Sequence, residues 1–157
     1  RHGQFVETFL PQTFVGNHDV DRIASLVGDD GAALAAVVLC TLPGVPSIYY
    51  GDEQGFRGTK GIGWGADDPL RPALPATPTQ LAPEGWWLYR LYQELIGLRR
   101  RNAWLAHGVI EVVDKTNTSI HYTLSDSSHQ LSARLSLDPQ PQASIEVDGQ
   151  PSWHWPR

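Results

Sequence analysis

The sequence has 157 residues, about the length of one ordinary domain, and its composition is that of a folded protein. Hydrophobic residues make up 41% and charged residues 18%, which excludes a disordered chain because such chains combine low hydrophobicity with high charge. The net charge of −5 argues against non-specific nucleic-acid binding, which depends on neutralisation of phosphates by Lys and Arg. The longest apolar run, residues 32–42, is shorter than the roughly 20 residues that a membrane helix needs. We therefore expect neither a nucleic acid nor a membrane as partner.

Cysteine and methionine content bears on the context of the chain. Cys40 is the only cysteine, so the chain cannot form an internal disulfide. The sequence contains no methionine and begins with Arg1, from which we expect it to be a piece of a longer polypeptide. The sequence does not indicate a compartment.

The first half of the chain predicts a parallel βαβ unit. Residues 13–15 form a short apolar strand, and a helix buried on most of its surface follows over residues 32–42, with Asp29 at its N-cap. Residues 46–51 carry the β-branched and aromatic side chains of a second strand. Strand, helix and strand with short connections are typical of parallel pairing.

A long loop and an amphipathic helix follow. Residues 51–83 are rich in Gly and Pro, and loops of this length in a compact domain are usually functional or disordered. A helix is predicted from Pro83 to Arg101, because apolar residues recur there at spacings of three and four.

The hydrophobic period changes to two after about residue 103. Residues 120–124, 131–137 and 145–147 alternate apolar with polar side chains, which predicts short antiparallel strands. The chain is therefore divided into an α/β part, residues 1–102, and a small all-β part, residues 103–157.

The segment Gly16-Asn17-His18-Asp19 stands directly at the end of the first predicted strand. In parallel α/β sheets, ligands bind at the carboxyl ends of the strands, so His18 and Asp19 are candidate site residues. The competing interpretation is a solvated turn, because Asn and Asp are also common turn formers.

Gly-Asn-His-Asp also occurs in metal-dependent phosphoesterases, which leaves metal binding open as an alternative. That interpretation needs further ligands, and no Gly-His-x-His segment follows residue 19. No two of the six histidines have the spacing of metal ligands, so we predict no metal site.

A second motif changes the balance between these interpretations. Phe-Val-Gly-Asn-His-Asp (residues 14–19) and Gly-Val-Pro-Ser-Ile-Tyr-Tyr-Gly-Asp-Glu (residues 44–53) together closely resemble the α-amylase superfamily of glycoside hydrolases. In that family the first motif ends the seventh strand of a (β/α)8 barrel and the second is the eighth strand. Residues 65–71 resemble the loop after the eighth strand. The implied fold is α/β: a partial TIM barrel containing strands 7 and 8 with their helices, followed by a small antiparallel β-sandwich.

The resemblance implies roles for the first motif. Asp19 matches the acidic residue that grips hydroxyls of the cleaved sugar and stabilises the transition state. A fixed carboxylate suits this role because glycoside cleavage passes through an oxocarbenium-like state. His18 matches the histidine that hydrogen-bonds the same sugar, and Asn17, which borders the substrate, orients the turn. Trp64 could stack on a sugar ring.

Four further residues are candidate substrate contacts, each with a structural alternative. Arg22 lies one turn beyond Asp19, where an ion pair with Asp19 or Asp21 is the competing interpretation. Asp67, Asp68 and Arg71 could line the far side of a sugar cleft or form a turn network.

The resemblance also implies what the chain does and what it needs. It predicts a retaining glycosidase or transglycosylase acting on an α-linked glucose oligosaccharide or α-glucoside, with the remainder of the catalytic barrel as a partner. The nucleophile and acid/base of this family come from the fourth and fifth strands, which this sequence does not match. We therefore expect the chain alone to be inactive, and a remnant that serves as a carbohydrate-binding or interaction module is the alternative. No cofactor is expected in this chain, although calcium is possible in a full-length enzyme.

Overall fold

The computed structural model describes residues 8–156. Residues 1–7 of the predicted α/β part and Arg157 of the predicted all-β part lie outside the described residues. Two short parallel strands flank the first helix, and a long loop leads to a second helix and five antiparallel strands. The elements are β1 (Gln12–Thr13), α1 (Ile23–Thr41), β2 (Val45–Pro46), α2 (Trp86–Arg101), β3 (Val109–Lys115), β4 (Ser119–Ser125), β5 (Gln130–Ser136), β6 (Gln142–Val147) and β7 (Gln150–Trp155). Four single 3-10 turns lie along the loop and a fifth joins α2 to β3.

The predicted parallel pair is confirmed, but its strands are shorter than expected. β1 and β2 are adjacent and parallel, with Thr13 opposite Pro46, and the Ser47 N–H donates to the Thr13 carbonyl at 2.7 Å. Beyond this point the chain turns, because the Asp52 N–H bonds back to the Tyr49 carbonyl at 3.0 Å. The two strands therefore diverge into loops where the sequence predicted continued pairing.

Helix α1 begins at Ile23, well before the predicted start, because a first helical segment precedes Asp29. The Arg22 carbonyl accepts the N–H groups of Ser25 and Leu26, and the helix is then broken at Gly28, where φ is 74° and ψ is 179°. This backbone conformation is almost restricted to glycine, which explains the break. Asp29 follows the break, so the sequence marked the start of the second helical segment only.

Helix α1 also has the length and apolar composition of a membrane span, with 19 residues and a mean hydropathy of 1.7. Its unbroken part, residues 29–41, is only about 20 Å long, whereas a bilayer core is roughly 30 Å thick. Nine residues of the whole helix are buried, and α1 packs against α2 and the sheet. We interpret α1 as a core helix.

The break at Gly28 leads to a prediction with a matched control. Gly28→Ala should lower the free energy of unfolding by about 1–3 kcal/mol although nothing lies within 4 Å of the added Cβ, because the cost is backbone strain. Gly97→Ala, inside α2, should instead raise it by roughly 0.5–1 kcal/mol, since its Cβ meets only the end of the Arg101 side chain. Urea denaturation measures both; equal effects would contradict this explanation of the break.

The five C-terminal strands form a single antiparallel meander in sequence order. β4, β5 and β6 coincide with the three predicted alternating segments. The predicted sandwich is wrong for the described residues, which form one sheet here instead of two. The reason is that the helices already cover the apolar face: Tyr122 meets the Thr41 hydroxyl, and the Trp153 indole donates to Glu94 at 2.8 Å.

The other face of the sheet is polar and open to solvent. One row across it runs from His121 through Arg134 and Ser144 to His154. A second sheet on this face would remove these polar and charged groups from water, which is costly. β3 forms one edge of the sheet, and all seven of its residues are exposed.

The helices and the sheet share one hydrophobic core. Its buried members come from α1, α2, the 3-10 turn after α2 and strands β4–β7, and include Ala36, Val37, Leu91, Leu95, Leu98, Leu105, Tyr122, Leu124, Leu131, Ile145 and Trp153. Apolar burial therefore continues across the predicted boundary at residues 102 and 103.

Candidate active site

The turn after β1 presents His18 and Asp19 to solvent. The Asn17 side-chain oxygen accepts the Asp19 N–H at 2.8 Å, which fixes the turn. Nε2 of His18 lies 3.3 Å from Oδ2 of Asp19, and both side chains are more than half exposed. Gly16 precedes them in a buried position, where a Cβ would come within 2.7 Å of Oδ2 of Asp52. Glycine is therefore required for the chain to pass this carboxylate.

Arg71 connects the long loop to this turn. Its Nη2 lies 3.3 Å from Oδ1 of Asp19 and 3.1 Å from Oδ2 of Asp67. Its Nε donates to the His18 carbonyl at 3.3 Å. The structure thus brings Arg71 to Asp19 and His18. The turn network predicted as the alternative role of Arg71 therefore exists, and it includes the candidate catalytic residue Asp19.

Lys60 and Asp67 complete the network; Asp67 was among the predicted candidates for the cleft wall, whereas Lys60 was not predicted. The Lys60 ammonium lies 3.0 Å from Oδ1 of Asp67 and donates to the Asp19 carbonyl at 3.2 Å. The Lys60 main-chain N–H donates to the Asp21 carboxylate at 2.6 Å. Lys60 had no signal in the sequence, because only the folded loop brings it to Asp67 and Asp19.

The electrostatics of the network keep Asp67 ionised. The hydrogen bond from Lys60 is the main cause that lowers the pKa of Asp67, and the charges of Lys60, Arg71 and His18 add to it. Asp67 therefore remains a fixed negative partner for the two cations that reach toward Asp19.

Asp68 lies beside this network, and its role as a substrate contact stays a prediction. Its side chain takes no part in the described network, and its Oδ2 lies near Gly65, 3.0 Å from where a Cβ would stand. Asp68 begins a 3-10 turn, whereas the side chain of the preceding residue, Asp67, lies 3.1 Å from the Arg71 guanidinium. Asp68 does line an open depression of about 540 Å³ with Lys60, Asp67, Arg71 and the fully exposed Trp64.

Arg22 forms the structural ion pair that was the alternative to substrate contact, but its partner is Asp52 instead of Asp19 or Asp21. Arg22 is 1% exposed, and its Nη1 lies 2.9 Å from Oδ1 of the equally buried Asp52. Nε and Nη2 both donate to the Leu70 carbonyl, at 3.0 and 2.7 Å. A guanidinium buried in this way has no access to a substrate, so Arg22 acts as a scaffold between the end of β2 and the loop.

Two tyrosines reinforce this anchoring. Both rings lie against the Arg22 guanidinium, with centroids 4.1 Å and 5.0 Å away for Tyr49 and Tyr50. The Tyr49 hydroxyl donates to the Leu70 carbonyl at 3.3 Å, and the Tyr50 hydroxyl to the Pro72 carbonyl at 2.9 Å. These bonds fix the backbone on both sides of Arg71 and so position its side chain beside Asp19.

Within residues 8–156, no three His, Cys, Asp or Glu side chains come together as a potential metal site. The metallophosphoesterase alternative would require such a cluster around Asn17 and His18.

A family model described as the alpha amylase catalytic domain matches residues 2–84. The match contains both sequence motifs and the loop that carries Lys60 and Asp67, and it ends at Glu84, just before α2 begins.

Relatives and solved structures match a larger part of the chain. The 4-alpha-glucanotransferase of Thermotoga neapolitana is 29% identical over 150 residues, which cover 78% of this chain and 34% of that protein. The cyclomaltodextrin glucanotransferase of Geobacillus stearothermophilus is 36% identical over 100 residues, covering 63% and 12%. The crystal structure of an alpha-amylase from H. orenii superposes with a TM-score of 0.63 at 25% identity, covering 82% of this chain and 30% of that one. The chain thus spans about a third of the length of the first of these relatives.

Proposed function

The chain belongs to the α-amylase family of glycoside hydrolases and transglycosylases, and from that premise we propose that Asp19 is the transition-state-stabilising carboxylate of a retaining enzyme. The substrate class is an α-linked glucose oligosaccharide or α-glucoside. The single observation that carries the proposal is the Asp19 carboxylate, which is exposed and held from both sides by His18 and Arg71.

The geometry around Asp19 suits an oxocarbenium-like transition state. One carboxylate oxygen faces Arg71 and the other faces His18, so the group is oriented before a sugar arrives. Positive charge that develops on the sugar is stabilised by a negative group that needs no reorganisation. The His18 ring nitrogen can also hydrogen-bond a sugar hydroxyl. Arg71 and Asp67 form the adjoining wall, where Trp64 offers an apolar face to the next sugar.

Turnover requires groups beyond Asp19. A retaining mechanism uses a nucleophile and an acid/base about 5–5.5 Å apart, and this sequence matches none of the family motifs that carry them. We propose that residues 1–102 belong to the catalytic barrel, whose remainder supplies both groups, and that residues 103–157 form the C-terminal β domain. The second candidate function, saccharide binding without turnover, is favoured for the isolated chain by the same lack of a carboxylate pair.

A charge-sensitive binding experiment tests the role of Asp19. Asp19→Asn should weaken binding of a cationic iminosugar by roughly ten- to a hundredfold, because a charge-assisted contact becomes a neutral one. Binding of neutral maltose should change much less. Isothermal titration calorimetry with the 157-residue chain measures both affinities.

Asp30→Asn provides the matched control, because Asp30 is an exposed carboxylate on α1 outside the network. It should leave both affinities unchanged. An Asp19→Asn variant that binds the iminosugar as tightly as the control would contradict the proposal. Hydrolysis of 4-nitrophenyl α-maltoside by the chain alone would show that the catalytic pair lies within these residues.

A further inference from the structure

A second depression lies beside the N-terminal end of α2, and we propose that it binds one neutral sugar unit, independently of the Asp19 site. Its volume is about 230 Å³. The side chains that carry the argument are Asp29, Gln54, Phe56, Arg57, Glu84 and Trp87. None of them belongs to the network around Asp19.

Gln54 in the wall of this depression has unused hydrogen-bonding capacity. The residue is 7% exposed, and neither its side-chain oxygen nor its side-chain nitrogen has a partner among the described residues. A buried amide without partners costs free energy, and such an exception in a folded protein calls for an explanation. Both atoms are closed off from the depression as the side chain stands, with Oε1 against Gly85, so a sugar hydroxyl, which both donates and accepts, would meet them when the side chain turns into the depression.

Charged groups at the rim select against an anionic ligand. The Arg57 guanidinium donates to the Ala24 carbonyl at 2.6 Å and lies 2.5 Å from Oδ1 of Asp29. Its charge is therefore already matched by Asp29, and Glu84 adds a further carboxylate to the wall. An anion at the end of α2 would meet this surplus of negative charge, whereas the hydroxyls of a neutral sugar can donate to it.

Aromatic side chains supply the apolar half of the site. Trp87 remains 39% exposed, and its ring lies nearly parallel to that of Trp155, with an angle of 14° and centroids 6.2 Å apart. This contact restrains the indole without burying it. Phe56 lines the same depression. The C–H face of a pyranose packs on such rings while its hydroxyls reach the polar wall.

The size of the depression limits the ligand. Its volume lies below the roughly 300–1,000 Å³ of pockets that enclose drug-sized ligands. One pyranose unit fits inside, and further units of an oligosaccharide would extend over the rim.

Ligand-observed saturation-transfer NMR with methyl α-glucoside tests the site whether the chain is monomeric or associated. The measurement uses the full chain with Asp19→Ala, so that failure of the proposed catalytic role does not affect the result. In that background, Gln54→Met should weaken binding by roughly tenfold or more, because the amide contacts are lost. The midpoint of thermal unfolding should stay equal or rise, since Gln54→Met removes unpartnered polar atoms from a buried position.

Gln93→Met, at an exposed glutamine on α2, is the control and should retain the binding of the background. Three results would each overturn the proposal. They are no saturation transfer in the Asp19→Ala background, equal affinity of the Gln54→Met and Gln93→Met variants, and displacement of the sugar by inorganic phosphate.

Discussion

Replacing Arg22 with Met is expected to destabilise the chain by about 3–5 kcal/mol, because it leaves the Asp52 carboxylate buried without a counter-charge. The change also removes two donors from the Leu70 carbonyl. A typical domain has only about 5–15 kcal/mol of stability, so we expect a large shift of the urea midpoint or loss of folding. Arg71 would lose its anchored backbone, and the geometry around Asp19 with it.

The effect of Arg22→Met should depend on pH. Burial raises the pKa of Asp52, and loss of the guanidinium that opposes this raises it further. A carboxyl with a higher pKa in the folded state is no burden below its unfolded pKa of about 3.9, and it destabilises increasingly as the pH rises through its folded pKa. The variant should therefore be least impaired in acid, and a second change, Asp52→Asn, should recover stability at neutral pH.

Arg134→Met provides the comparison for Arg22→Met. The Arg134 guanidinium lies 3.5 Å from Glu146 in an ion pair that is about half exposed on the sheet. Such surface pairs contribute at most about 1 kcal/mol, because water screens them. If Arg22→Met costs no more than Arg134→Met, the scaffold role of Arg22 is wrong.

Replacing Arg99 with Met should have the next largest effect, a loss of about 2–4 kcal/mol. The Arg99 guanidinium donates to the carbonyls of Cys40 at 2.9 Å and Leu42 at 2.8 Å, and also to that of Gly44. These three carbonyls lie between the last turn of α1 and the start of β2, so one side chain of α2 holds this connection in place. Without it, partly buried carbonyls lose their partner.

The adjacent Arg100→Met is the matched control, since Arg100 is exposed on the same turn of α2. It has the same helix position relative to the dipole but does not reach α1. We expect a change within about 0.5 kcal/mol. Equal urea midpoints for the Arg99 and Arg100 variants would show that the α1–β2 connection does not depend on this contact.

The sequence predicted where the candidate site lies better than it predicted which side chains contact one another there. The motif that ends at Asp19 follows directly from a strand end, so His18 and Asp19 were found from local pattern alone. Arg22 belongs to the same motif, but its partner Asp52 lies 30 residues further along the chain. Lys60 was missed for the same reason, because only the folded loop brings it to Asp19.

Secondary structure was predictable where the apolar period was clear. Helix α2 and strands β4–β6 were found because one face of each is buried, which imposes a period of 3.6 or 2. β3 has no buried face, so its sequence carries no such period. The expected sandwich failed because a strand pattern shows that one face is covered, but does not show whether a sheet or a helix covers it.

The uninterrupted core has a consequence for exchanging parts of this protein with those of relatives. Leu95 and Leu98 of α2 share that core with Leu131 and Ile145 of the sheet. Separating the chain between α2 and the sheet would expose the apolar faces of both parts to water. The C-terminal strands therefore do not form a unit that can be exchanged alone. A chimera should take α2 and the C-terminal sheet from the same parent protein.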